Sequence, residues 1–259
     1  MPSRLLIPVV AALLGLLAAS LAQAELSQDG NVRISFSGGF SPRSLPRDRP
    51  APVTVDIRGA ISTTDGSHPP PARRIEIELN RNGKLSTQGL PACTSPLLQS
   101  TSTETALQRC SPALVGRGRF KADVQFPSAE PVPASGTLLA FFGKKGGKPA
   151  LLLHLYAKSP VQATFILPLK ISHRTRGLFG TVLSARIPTL AGGLGSVTEV
   201  DLTIGRDYTY RGQPRSFISA SCAAPPGFPG ASFSLARGSF YFAGGQKIDT
   251  TLSRACRVR

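Results

Sequence analysis

Two pairs of carboxylates are spaced so that they could act together on one bond. Glu76 and Glu78, and likewise Glu199 and Asp201, lie two residues apart in segments where apolar and polar residues alternate. On an extended strand such a pair shares one face at a distance of about 7 Å, which suits the two carboxylates of a glycosidase. The same alternation is typical of the solvated face of an ordinary strand. We therefore favour surface carboxylates, with glycan hydrolysis as the alternative.

The other reactive side chains form no catalytic or metal-binding motif. The three histidines, His68, His154 and His173, are far apart, and His154 lies within an apolar run that predicts a buried, hydrogen-bonded ring. No serine lies in a G-x-S-x-G motif, and the glycine-rich runs lack the strand-to-helix context of a phosphate loop. We expect no catalytic, cofactor-binding or metal-binding residues and no cofactor.

Four cysteines, Cys93, Cys110, Cys222 and Cys256, predict disulfides, because an even number in an exported chain favours pairing. Three connectivities are possible. We favour Cys93–Cys110 with Cys222–Cys256, since each pair is local in sequence. A zinc site is disfavoured because there is no C-x-x-C spacing and no histidine near a cysteine.

The N-terminus predicts export. Arg4 precedes an almost wholly apolar run at residues 5–19, and Ala22 and Ala24 form an A-x-A cleavage site, so the predicted signal is 1–24. The run is marginal for a membrane span, which needs about 20 residues, and cleavage is favoured over an uncleaved anchor. We expect a secreted or extracytoplasmic protein with no transmembrane segment after cleavage.

Short alternating segments dominate the rest of the chain and predict strands. The clearest are residues 32–36, 53–57 and 75–79. Others are residues 119–126, 137–142, 151–156, 163–171, 181–187, 197–204, 215–221, 232–242 and 247–256. Turn-rich spacers between them favour an all-β fold, an antiparallel β-sandwich or sandwiches of many short strands, stabilised by disulfides.

One short helix and one domain boundary are predicted. Thr101 and Glu104 fit a capping box, which predicts a helix near residues 102–110. Three prolines at residues 127–133 are typical of a stiff connector. They predict an N-terminal β lobe at 25–135 and a basic C-terminal β lobe at 136–259, with a single large β domain at 25–259 as the close alternative.

The chain carries a formal charge of +16, most of it in its second half. Residues 136–259 hold 16 Lys or Arg and only 4 Asp or Glu. A field of this kind attracts polyanions, which predicts a patch for anionic cell-wall polymer, acidic polysaccharide or an anionic lipid surface, with no specific nucleic acid. The candidate patch residues are Lys144, Lys145, Lys148, Lys170, Arg174, Arg176, Arg206, Arg211 and Arg215.

Several segments carry a resemblance to a known family. They are LPRDRPAPV at 45–53, RRIEI at 73–77, ALVGRG at 113–118, GTVLSA at 180–185 and CRVR at 256–259. With these segments the chain resembles an uncharacterised family of secreted proteins from high-GC Gram-positive bacteria. The resemblance implies export and transfers no activity and no functional residue.

Together these patterns favour an exported, non-catalytic protein that binds or structures the cell envelope through its basic half. An extracellular hydrolase acting on glycans is the first alternative, because it would need only the carboxylate pairs and a cleft. A secreted protein–protein interaction module, using an exposed strand edge or apolar patch, is the second.

Overall fold

The computed structural model of the protein describes residues 24–124, 130–160, 162–188 and 195–259. The predicted signal, apart from Ala24, lies outside these residues, as does the first part of the predicted connector at 127–133. Within the described ranges, none of the helices has the length and apolar character needed to cross a membrane.

Strands make up most of the described residues, and one lies in each of the segments that alternation predicts. The strands are β1 (Glu25–Asp29), β2 (Val32–Ser41), β3 (Ser44–Leu45), β4 (Ala51–Pro52), β5 (Thr54–Thr63), β6 (Ala72–Asn80), β7 (Gly83–Leu85), β8 (Leu114–Val124), β9 (Val132–Lys145), β10 (Lys148–Ser159), β11 (Ala163–His173), β12 (Phe179–Arg186), β13 (Gly195–Ile204), β14 (Asp207–Tyr210), β15 (Gln213–Ser216), β16 (Ile218–Ala220), β17 (Gly230–Phe242) and β18 (Lys247–Val258). The helices are α1 (Ser95–Leu98) and α2 (Thr103–Cys110), and short 3₁₀ turns lie at Ser111–Ala113 and Ala243–Gly245. The β-rich prediction is thus confirmed.

One 13-stranded sheet dominates the fold, in the order β1-β2-β5-β13-β8-β9-β10-β11-β12-β6-β17-β18-β3. Its pairs are antiparallel except for the parallel pair β18 and β3, so the sheet is mixed. The sheet curls into a half-barrel that brings its two edges together. Gln246 Nε2 donates to Asp29 O at 2.8 Å, and the Arg254 guanidinium lies 3.8 Å from the Glu25 carboxylate.

This curled sheet differs from the predicted sandwich of short strands. Its main strands are long, up to 14 residues in β9. β-Bulges interrupt the pairing, for example after Val197 in β13 and after Ser234 in β17. Bulges bend a strand and increase its twist, and the twist accumulates across a large sheet. The sheet therefore covers its apolar face by curling onto itself instead of packing against a second sheet.

The two halves of the chain share this sheet. β13, from the second half, lies between β5 and β8, and β6, from the first half, lies between β12 and β17. Hydrogen bonds between neighbouring strands therefore join segments from both sides of residue 135. The division into two lobes at that residue stays a prediction.

A helical segment covers the outer face of β9 and β10, the face turned away from the sheet's interior. Leu139, Phe141 and Leu152 point outward there and pack against Leu98 and Ala106 of the two helices. Because the opposite face of these strands also lies in the core, both strands read as nearly continuous apolar runs.

Helix α2 confirms the predicted helix, but its N-cap is one residue later than the capping box predicts. Ser102 is the N-cap, and its Oγ accepts a hydrogen bond from Thr105 N at 3.2 Å. Thr101 is instead buried beneath the helix. Ser102 caps the helix because the hydroxyl and carbonyl groups of Thr101 are engaged in buried hydrogen bonds with residues of the sheet.

The disulfides Cys93–Cys110 and Cys222–Cys256 match the pairing that local spacing favours. Their cysteines are 17 and 34 residues apart, for which the loop-entropy model gives about 3 and about 4 kcal/mol of stabilisation. The first disulfide links Cys93, which lies before α1, to the last residue of α2. The second links the end of β18 to the loop after β16. Two disulfides are typical of a protein from an oxidising, extracytoplasmic compartment.

The two ends of the curled sheet differ. At the end where β13 finishes, the small sheet β4-β16-β7 and the β14–β15 hairpin lie across the interior, and buried Leu45, Val53 and Phe217 fill the space. We call this the closed end. At the opposite, open end, β5 and β12 finish and β6 and β13 begin, without such a layer among the described residues.

Candidate functional site

The first predicted carboxylate pair belongs to an ion cluster on the outer face of the sheet. Glu78 is only 2% exposed and pairs with the guanidinium groups of Arg174 and Arg237. Glu76 lies 3.0 Å from Arg174 and 3.9 Å from Arg74. The two carboxylates therefore neutralise arginines of β6 itself, of the neighbouring strand β17 and of the loop after β11.

The second carboxylate pair has the same kind of role on β13. Glu199 lies 2.8 Å from Lys121, and Asp201 lies 3.4 Å from Arg58 and 3.7 Å from Arg119. These cations belong to β8 and β5, the two strands that flank β13. The described geometry thus gives both pairs a structural explanation as cross-strand ion pairs on the outer face.

The predicted basic residues lie at the closed end of the sheet. Lys145 and Lys148 face each other directly across the β9–β10 hairpin, and Lys170 lies on the next strand. Other members are already engaged: Arg174 is ion-paired, and Arg206 donates to Leu114 O at 2.7 Å. The rest, Lys144, Arg176, Arg211 and Arg215, are exposed in hairpins and loops of the same end.

His154 is fully buried beneath the helical segment, as the sequence predicts. Thr101 Oγ1 donates its proton to Leu98 O at 2.7 Å, so it accepts from His154 Nε2 at 3.0 Å. The ring is therefore a neutral donor through Nε2. Burial lowers the pKa of His154 below its usual value of 6.5, although the hydrogen bond to the Thr101 backbone opposes this shift. His68 and His173 lie in other parts of the fold.

Acid is expected to destabilise the protein through His154. Because its pKa is lower in the folded chain, the unfolded chain binds more protons below about pH 6.5, and the free energy of unfolding falls with decreasing pH until the folded pKa is passed. One such group gives a slope of at most about 1.4 kcal/mol per pH unit. Urea denaturation between pH 7.5 and 5 measures this slope. His154→Gln should remove it and the exposed control His173→Gln should keep it; a slope unchanged in His154→Gln would contradict the assignment.

The feature that sequence patterns did not reveal is an apolar cavity of about 180 Å³ inside the curled sheet. Its wall consists of inward-facing aliphatic side chains from seven strands of the sheet, together with the rings of Phe36 and Phe240. Representative wall residues are Ile57, Ile77, Leu153, Leu167, Leu183 and Val200.

The wall residues show why this space exists. Ile57, Ile77, Leu167 and Val200 point inward but are only half-buried, because they border the cavity instead of packing against opposite side chains. Closed sheets of about eight strands are just filled by their own side chains, and larger ones enclose space. The only sequence signal for the cavity was the large number of alternating segments.

The cavity meets solvent at the open end. Four residues with polar side chains border it, Arg73, Ser196, Thr198 and Glu199, and all lie where β6 and β13 begin; the Glu199 carboxylate itself is turned to the outer face, toward Lys121. Arg73 is exposed, and Thr198 and Glu199 are partly exposed. The site therefore combines a hydrocarbon interior with a polar rim.

A second, smaller cavity of about 50 Å³ lies toward the closed end of the sheet. Its lining includes Val55, Phe233 and Leu252, and it shares Phe36 and Ile57 with the larger cavity. Among the described residues there is no group of three or more His, Cys, Asp or Glu side chains arranged to hold a metal ion. What the site offers a ligand is apolar surface.

The chain matches no protein-family model, and no curated protein or solved structure is significantly similar to it. The resemblance to an uncharacterised family of secreted proteins from high-GC Gram-positive bacteria therefore stays a prediction.

Proposed function

We propose that this protein is an exported, non-catalytic carrier that binds the hydrocarbon part of a lipid inside its curled sheet. The observation that carries the proposal is the apolar cavity of about 180 Å³ with polar residues only at its rim. A lipid chain would lie against the wall, and its polar group would stay in the solvent near Arg73 and Thr198.

The size and lining of the cavity support an apolar ligand. In another protein, an engineered cavity of about 150 Å³ with a Leu, Ile and Phe lining stays dry and binds benzene. Water gains few hydrogen bonds from a wall of this kind, so transferring hydrocarbon into it is favourable by about 0.8 kcal/mol per methylene group. Each added methylene is thus expected to tighten binding about fourfold until the cavity is full.

The compartment fits this function. The predicted signal at 1–24 and the two disulfides support a location outside the cytoplasm. Lipids crossing an aqueous envelope space need a protein that removes their chains from water. A carrier needs no reactive groups in the cavity, which agrees with a wall that is almost wholly aliphatic.

Isothermal titration of the purified protein with n-alkyl carboxylates and n-alkanols of 6 to 16 carbons tests the proposal. We expect saturable one-to-one binding, a negative heat-capacity change and affinity that rises with chain length for both headgroups. An affinity that depends on the headgroup and does not change with chain length would contradict the proposal.

The exposed lysines support a second candidate function, binding of an anionic wall polymer at the closed end. Lys145 and Lys148 stand opposite each other on adjacent strands, and like charges in that position are destabilising. An anionic partner would relieve this repulsion. The two candidates are compatible, because the cavity opens at the other end of the sheet.

Replacing Lys145, Lys148 and Lys170 by Gln is expected to weaken binding to purified anionic wall polymer about tenfold at low salt. The loss should disappear near 0.5 M salt, where charges are screened within a few ångströms. Co-sedimentation measures the binding. The control is Lys158→Gln, an exposed lysine at the open end, and an equal loss in this control would mean that the closed end has no special role.

A further inference from the structure

The two cavities lie in line along the strand direction and meet at two side chains. Phe36 and Ile57 are the residues that line both. Phe36 is 1% exposed, and its ring stands edge-on to Phe240 with centroids 6.4 Å apart. These two residues therefore form the partition between an outer and an inner chamber.

The order of the chambers follows from their linings. The outer chamber reaches Arg73 and Glu199 at the open end, whereas the inner chamber reaches Leu85, Ile218 and Ala220 of the small sheet at the closed end. A chain that enters at the open end thus meets the outer chamber first, then Phe36 and Ile57, and then the inner chamber, whose lining also includes the exposed Lys84 at the closed end.

The capacities of the chambers favour a chain over a ring. By comparison with the engineered benzene site, the outer chamber holds about six to eight carbons. By the same comparison, the inner chamber, at about 50 Å³, adds room for about two methylene groups. A ring system would fill the outer chamber alone, whereas only a narrow, flexible group reaches both.

We propose that the ligand is a lipid with a single unbranched hydrocarbon chain that passes Phe36 and Ile57, and that the inner chamber sets the longest chain bound with full affinity. This inference rests on the proposed function and adds the ligand's shape and length limit. The terminal methyl group of a long chain lies against Val55 and Leu252, and a short chain ends before Phe36.

A matched pair of substitutions tests the length limit. Val55→Phe fills the inner chamber, and Val200→Phe makes the same change in the wall of the outer chamber; both valines are half-buried and each lines only one chamber. The probes are saturated n-alkyl carboxylates of 6, 8, 10 and 12 carbons, titrated into the wild type and both variants.

We expect Val55→Phe to leave the affinity for 6 and 8 carbons within twofold of the wild type. Its affinity for longer chains should fall about 15-fold, the effect of two excluded methylene groups at about fourfold each. Val200→Phe should weaken all lengths together. If Val55→Phe weakens short and long chains equally, or neither, the inference is overturned while the proposed function stands. If no chain binds the wild type, the proposed function itself fails.

A measurement on the wild type keeps the test independent of folding in the variants. With ¹³C-labelled methyl groups, the signals of Val55 and Leu252 should shift with chains of 10 or 12 carbons and not with chains of 6. The outer-chamber methyl groups of Leu153 and Leu167 should shift with all of them. If the methyl signals of Val55 and Leu252 do not shift with chains of any length, the inference is overturned.

Discussion

Leu167→Trp is expected to weaken the binding of hydrocarbon chains strongly. The free energy of unfolding should fall by no more than about 1 kcal/mol relative to the wild type. Leu167 lines the cavity and is only half-buried, so a larger side chain enters open space and not packed atoms. An indole in place of the isobutyl group excludes about three to four methylene groups of ligand, which corresponds to about 3 kcal/mol or about 100-fold in affinity.

A loss of chain binding together with unchanged stability would show that Leu167 borders an open cavity. In a filled core, an added ring costs about 1–3 kcal/mol because neighbours must move. Titration with a 10-carbon chain and thermal unfolding measure the two quantities on the same sample. The control is Leu178→Trp, at a position that is 68% exposed, which should leave binding unchanged. A Leu167→Trp protein that still binds normally, or that loses several kcal/mol of stability, would contradict the cavity.

Replacing Arg174 and Arg237 together by Met is expected to lower the free energy of unfolding by about 3–5 kcal/mol. Glu78 is 2% exposed and ion-paired with both guanidinium groups, which come from the loop after β11 and from β17. Without them its carboxylate remains buried without a compensating charge. Urea denaturation at pH 7 measures the loss.

Adding Glu78→Leu to that double variant is expected to restore most of the stability, because apolar groups of similar size can replace a buried ion cluster at little net cost. The matched control is Arg58→Met with Arg119→Met, which removes two cations beside the more exposed Asp201. Exposed pairs contribute about 0–1 kcal/mol each, so the control should change little. Equal losses in both double variants would show that burial of Glu78 is not the cause.

Much of the fold could be predicted because it depends on local patterns. Alternation at 32–36 and 75–79 marks strands with one apolar face, and even spacing of cysteines within each half favours the observed pairing. The capping box was displaced by one residue, since Thr101 hydrogen-bonds to His154, which lies 53 positions away in the chain. Local propensity does not contain such a partner.

The curl of the sheet and the cavity could not be predicted for the same reason. Alternation tells which way Ile77 or Val200 points, but not whether another side chain meets it across the interior. That distance depends on the twist accumulated over many strands and on bulges such as the one after Val197. Likewise, the partners of Glu78 come from residues 174 and 237, and only the strand order reveals that they are neighbours.

Three exposed lysines and the cavity opening lie at opposite ends of the sheet, so a carrier could bind a polymer and a lipid at the same time. Lys145, Lys148 and Lys170 lie at the closed end, and the rim of the cavity lies at the other end of the strands. A protein held on an anionic polymer through Lys145 and Lys148 would keep its cavity open to solvent. Binding of polymer and of lipid chain should then be independent, without competition between them.

The most direct test of the cavity as a lipid-chain site is the crystallographic position of a bromine atom. A 10-carbon carboxylate with bromine on its last carbon, soaked into crystals of the protein, gives an anomalous peak wherever the chain ends. We expect a peak inside the sheet, near Phe36 and Ile57, with the carboxylate toward Arg73. A peak confined to the outer surface, or a cavity that stays without bromine at saturating ligand, would contradict it.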